Sequence, residues 1–369
     1  MNQPVRDLLH ERADRLEAPL VDVSSIIDDG SRLRRRRRAR TAGGVGVLAA
    51  CAVLGAAALP GLLPSTETAA TEFSFANAFA DLDPAYAVGS SIHLAGEEFT
   101  VPTPVLAMVQ TTDGIVYSDR QGQVWSASGD EPAVQVGSTD RKGPRLVSEG
   151  SRAAWAEPAA GGVEFVVLDQ QSGSTARPLA TDSRVGDPEV LALDGDDLYL
   201  RDDRGLVRVG LADDSAEVLS PWLGDLEVTD VEEGLIAHTV PPGSRARSLN
   251  GFVGPSVGGG TRLDSAWTML DLSDDGRFLL GETEPDTFAV FDVAAGTAEP
   301  ITSPGHEFLI GYRWLDQDTY LALGMNRPWN TTPVDLLRCD IGTGCEITAE
   351  AIGTVKDGLT LPFGESMDG

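Results

Sequence analysis

Two short turn signals recur along this chain in a fixed order, about 41 residues apart, and they restrict it to a repeat architecture without long helices. The first is Asp-x3-Gly after an apolar run: Asp169 with Gly173, Asp292 with Gly296, and Asp340 with Gly344. Asp169 and Asp292 stand 123 residues apart, three steps of 41. One step from Asp169 reaches Gly210, two reach Gly251 in a Gly-rich, degraded stretch, and one step back reaches Ser128. The second signal is an acidic or Gly-bearing turn before an apolar run. It appears at Asp113-Gly114, Glu149-Gly150, Gly195-Asp196-Asp197, Glu232-Glu233-Gly234, Asp274-Asp275-Gly276 and Asp316-Gln317-Asp318. Asp accepts backbone N–H groups where such a turn starts, and Gly supplies the positive φ that ends it.

Six units of about 41 residues follow from this spacing, each with room for four short strands. Four-stranded units repeated without helices are the pattern of β-propeller blades. A further hairpin, 92–94 with 99–101 across Gly96, precedes the units, and a short strand within 357–363 follows them. The expectation is an all-β propeller of about seven blades over residues 86–369, the seventh built from both chain ends. Six blades with extra edge strands is the alternative.

Ahead of the repeats, Arg34, Arg35, Arg36, Arg37 and Arg38, with Arg32 and Arg40 beside them, run into 22 uncharged residues, 42–63. At about 1.5 Å per residue that segment makes about 33 Å of helix, enough for the roughly 30 Å hydrocarbon core of a bilayer. The next basic residue after Arg40 is Arg120, so the Lys/Arg bias places residues 1–41 in the cytoplasm and the repeats outside. The expected organisation is a tail (1–41), one transmembrane helix (42–63), a linker (64–85, with a short helix near 73–82) and the propeller. Leu48-Ala49-Ala50-Cys51 also fits a lipobox. Residues 52–59 stay apolar where the residues after a lipidated cysteine are polar, which favours the permanent span.

In the tail, Val5, Leu8, Leu9, Ala13 and Leu16 fall at helical spacing after Pro4, and a second apolar group runs from Leu20 to Ile27. About forty residues bury little core alone, so these helices lie on the inner membrane surface or bind a cytoplasmic protein through residues 5–27. Residues 1–41 carry +3, leaving −32 of the chain's −29 to the exterior. So acidic an exterior excludes nucleic acid as a partner. Hydrophobic content of 41% is ordinary for a folded chain.

Cys339 and Cys345 flank a turn bearing Gly342 and Gly344, which brings two antiparallel strands within reach of a disulfide outside the cytoplasm. With the histidines scattered, no zinc set accompanies them. The Arg-rich stop, the single span and turns such as Ser273-Asp274-Asp275-Gly276 and Asp292-x3-Gly296 resemble the actinobacterial membrane-anchored β-propeller proteins of the WD40-like or TolB-like extracytoplasmic kind. That resemblance implies a binding or scaffold module with no catalytic residues. The tail is similar to those of some membrane anti-sigma factors, which implies a signalling regulator as the second reading.

Chemistry-bearing motifs are few. Gly254-Pro255-Ser256-Val257-Gly258 matches the nucleophile elbow G-x-S-x-G, but Gly259 and Gly260 follow where that motif needs a helix, so a loop is expected. Paired acids such as Asp202-Asp203 and Asp274-Asp275 lack the spacing of a calcium loop. The residues point to no cofactor, no metal and no catalysis. The tryptophans fall roughly one per unit and are expected between blades, except Trp329, in a polar, Pro-bearing loop. Trp329 is the expected contact for a protein, peptide or glycan ligand.

Overall fold

The computed structural model describes residues 73–181, 188–221, 227–240, 250–263, 267–284, 287–328 and 331–366. The tail, Arg34 to Arg38, Cys51, the apolar segment 42–63 and Trp329 lie outside these residues. Among the described residues no helix is long and apolar enough to cross a membrane.

Alternating apolar and turn chemistry produces seven antiparallel sheets of four strands, hence seven blades rather than six. Blades two to seven take their strands in chain order, beginning with Ala107–Gln110, Leu146–Glu149, Glu189–Asp194, Glu227–Glu232, Thr268–Leu272 and Phe308–Trp314. Blade one is composite, its strands Ala85–Val88, Ser91–Leu94 and Glu97–Thr100 joined by Leu359–Thr360 from the other chain end. The closing pairs are Ala87 with Thr360 and Val88 with Leu359. The first strands of blades two to seven touch one another in succession and so line the axis of the ring.

The core is divided among the seams. Among the described residues there are seven apolar clusters, one between each pair of neighbouring blades. Strands buried on both sides read as continuous apolar runs, as in Thr319–Met325, whereas the outermost strand Thr297–Pro300 is exposed throughout. Trp155, Trp267 and Trp314 are buried in such seams, and Trp125 packs against another.

Both sequence landmarks are turns. Asp169, Asp292 and Asp340 end third strands, and the acidic turns follow first strands. Asp292 Oδ1 accepts the N–H groups of Ala294 and Ala295 at 3.0 and 2.8 Å, and Gly296 closes the turn at φ +68°. Blade five departs from the expected step: Gly251 lies inside Asn250–Gly254, and the turn comes after it, because residues 241–249 lengthen the preceding connection. G-x-S-x-G occupies this strand-to-strand turn, which gives Ser256 none of the strand-to-helix geometry of an elbow.

In an up-and-down sheet the turns after the first and third strands emerge on one face. Both acidic landmarks therefore collect on the same face of the ring. Arg120, Arg141, Lys142, Arg204, Arg327 and Lys356 sit in connections on the opposite face. The helix Phe75–Ala80 lies on the acidic face, where Phe75 packs against Gly129 and Phe99.

Candidate functional site: an acidic axial channel

The first strands of blades four to seven share an irregularity. An extra residue sits at Leu191, at Thr229, between Thr268 and Asp271, and at Tyr312. A bulge re-aims the residues beside it. Those that follow are Ala192, Asp230, Asp271 and Arg313, equivalent positions on four neighbouring strands around the axis.

The acids latch blade to blade. Asp194 Oδ2 accepts the Gly234 N–H at 2.8 Å, Asp230 Oδ2 that of Leu272 at 2.7 Å, and Asp271 Oδ2 that of Trp314 at 3.2 Å. These partners are 40, 42 and 43 residues apart, which is the repeat length itself. Asp230 Oδ1 also accepts the Val231 N–H at 2.8 Å, and the Trp314 indole donates to the Asp271 carbonyl at 3.0 Å. Arg313 Nη1 reaches past the short inner strand of blade one to Gln110 Oε1 at 3.1 Å, and Gln110 Nε2 donates to the Asp83 carbonyl at 2.8 Å.

Around the axis lies a cavity of 1530 Å³, lined by eleven carboxylates and three arginines. Residues 361–366 form part of its wall. Gly364 donates to the Met108 carbonyl and accepts the Leu146 N–H, at 2.8 and 2.9 Å, and Glu365 stands 3.6 Å from Arg145. Asp230 and Asp271 are half-buried in the channel wall. Burial raises the pKa of both. For Asp271 the charge of Asp230 adds to this, and for Asp230 that of Asp194, against opposing pulls from Arg313 and Arg145. Arg313 is lowered by burial despite Asp271 and Asp274 nearby. Tyr312 is raised by burial; its hydroxyl has no hydrogen-bond partner, and the residue is 8% exposed on the cavity wall.

The channel can hold a ligand and offers mainly negative charge to it. Among the described residues no group of three His, Cys, Asp or Glu is placed to hold a metal ion. Cys339 and Cys345 pair across a hairpin and form the expected disulfide, away from the channel. On blade seven His306 bridges Ser303 Oγ at 3.4 Å and Asp335 Oδ2 at 3.0 Å. Its ring lies so close over Gly324 that a Cβ there would meet it at 2.5 Å, which fixes the connection into this blade. Sequence reasoning named none of Asp230, Asp271, Tyr312 or Arg313. The 41-residue step applied inside the strands, not only at turns, takes Asp230 to Asp271 and would have found the pair.

No family model and no curated protein matches the chain. Solved structures similar to it include TolB from Acinetobacter baumannii, with a TM-score of 0.43 and 12% identity, covering 68% of this chain and 64% of that one. The tricorn protease gives a TM-score of 0.46 and 12% identity over 70% of this chain and 34% of the other. The computationally designed Ika8 protein gives 0.45 and 14%, over 72% and 81% respectively. The chain thus spans less than two thirds of the TolB structure and about a third of the tricorn protease.

Proposed function

We propose that the protein is a membrane-anchored extracytoplasmic binding module, a ring whose axial channel and acidic face receive a protein, peptide or cell-envelope glycan. The observation that carries this reading is the open, carboxylate-lined channel, since a concave site with convergent polar groups is where a rigid scaffold takes a ligand. Anchoring rests on the arginine run and the uncharged segment 42–63. The described chain enters the ring on the acidic face through Phe75–Ala80, so a span ending at residue 63 turns that face toward the membrane.

A photo-crosslinking amino acid tests this. It is placed at Asp196, on the acidic rim, at Glu227, on the opposite side, and at Val218, on an outer strand, as control. In intact cells of the natural host the expected result is a discrete adduct from a channel position, degraded by externally added protease, and none from Val218. Equal labelling from all three positions overturns the reading.

A further inference from the structure

We propose that Ser303 is an activated nucleophile that accepts an acyl group from small esters, with His306 as its general base and Asp335 as the residue that positions the base. The site goes beyond the channel reading, because it lies on the opposite face of the ring, where the connections 301–307 and 326–333 meet at blade seven. Three side chains form one relay. Asp335 Oδ2 is 3.0 Å from His306 Nε2, and His306 Nδ1 is 3.4 Å from Ser303 Oγ. A nucleophile within reach of a base, and a base oriented by a third group, is the arrangement that lifts a serine hydroxyl above its ordinary weak reactivity.

The tautomer of the base follows from the acid. Burial works against ionisation of Asp335, but the Ala351 N–H and His306 outweigh it and hold the carboxyl below the usual carboxylate range. At neutral pH the carboxylate therefore only accepts, so the hydrogen of the neutral imidazole sits on Nε2 and the lone pair of Nδ1 faces Ser303. Packing fixes the ring, whose side chain is 4% exposed and lies over Gly324. The turn is fixed as well: Asn326 Nδ2 donates to the Gly305 carbonyl at 3.2 Å, and Asn326 Oδ1 accepts the Glu307 N–H at 2.9 Å. Ser303 is half-buried between the exposed Thr302 and Pro304, which opens it to a small donor from solvent. Its 3.4 Å contact is long for a hydrogen bond, as such contacts often are before a substrate closes them. The other charges on these connections are the exposed Glu307 and Arg327, 3.8 Å apart.

In the reaction, Ser303 Oγ attacks the ester carbonyl carbon while its proton passes to His306 Nδ1. The ester C–O bond breaks, and the alcohol leaves with that proton. Water then attacks the acyl-serine through the same base, which releases the carboxylic acid and restores the hydroxyl. The full chain is treated at pH 7.5 with a fluorophosphonate, to which the serine forms a P–O bond as fluoride leaves, and separately with p-nitrophenyl acetate. One fluorophosphonate adduct per chain is expected, located at Ser303 by peptide mass spectrometry, together with release of p-nitrophenolate. Ser303→Ala should abolish both without changing the melting temperature. Asp335→Asn keeps an oxygen for the Ala351 N–H but turns an amide N–H toward Nε2, which moves the ring hydrogen to Nδ1 and removes the base. It should slow labelling at least tenfold, and the 15N shifts of the His306 ring should report the exchanged tautomer, a signature that a merely structural role would not give. If that variant fails to fold, comparison of the folded chain with the urea-unfolded one still decides, since only the folded relay activates Ser303. No adduct, an adduct elsewhere, equal labelling of the unfolded chain, or an unchanged rate in Asp335→Asn overturns the proposal.

Discussion

Asp271 holds Trp314 by two bonds, its Oδ2 accepting the backbone N–H at 3.2 Å and its carbonyl the indole N–H at 3.0 Å. One residue thereby joins blade six to blade seven with its carboxylate exposed to the field of Asp230. The folded state therefore binds a proton at this carboxyl more tightly than the unfolded chain does. Such a group contributes stability that is complete below the unfolded value of about 4 and is lost as pH rises through the folded value. Asp271→Asn retains an oxygen for Trp314 and removes the repulsion. Its melting temperature is expected to exceed wild type by a few degrees at pH 8, with the difference vanishing near pH 4. A scan of thermal melts against pH reads this, and a variant less stable than wild type at pH 8 contradicts it.

Gly364 is the tightest point of the C-terminal strap. Its φ is +80°, and a Cβ there would meet the Leu146 carbonyl oxygen at 1.8 Å. Neither strain can be relieved without giving up the bonds to Met108 and Leu146. Gly364→Ala is expected to cost about 2–4 kcal/mol, combining left-handed strain with lost hydrogen bonds. Denaturant unfolding measures the loss; a cost below about 1 kcal/mol would show that the strap is not seated as described.

The Cys339–Cys345 bond closes a loop of few residues within one hairpin, where Cys339 pairs directly with Cys345. Loop-closure entropy for so short a loop gives about 2 kcal/mol. Replacing both by alanine should lower stability by at least that order, because Cys339 is also buried in the seam between blades six and seven and Cys345 packs against it, while circular dichroism keeps the wild-type sheet signal.

Turn chemistry made the ring legible in the sequence, because the same Asp and Gly requirements recur at every blade and leave a visible period. The channel was less legible. A bulge adds one residue to a strand and shifts the inward–outward alternation, so Asp230, Asp271 and Arg313 read as ordinary polar positions in strands of uncertain phase. Tyr312 reads as core, and its missing partner is a fact of packing that no spacing carries. In blade five the long connection 241–249 hid the turn from a fixed step, which is why Gly251 was assigned to it. Pairing of residues 357–363 with the first hairpin was legible, since neither fragment completes a sheet alone.

That pairing closes the ring, and its removal should open it. Leu359 and Leu361 are fully buried in the seam between blades seven and one, where Tyr86, Val88 and Ile352 meet them. Two buried leucines account for about 3–6 kcal/mol of burial. Ladder bonds to Ala87 and Val88 go with them, and the exposed edge of Ala85–Val88 becomes a template for intermolecular pairing. The sum approaches the whole stability of a typical domain, about 5–15 kcal/mol. Truncation after Gly358 is therefore expected to give an aggregating protein, seen as loss of the monomer in size-exclusion chromatography. Adding a synthetic peptide of residues 359–366 during refolding should restore the monomer in part. A truncated chain that melts like wild type would show that the ring is closed by other contacts.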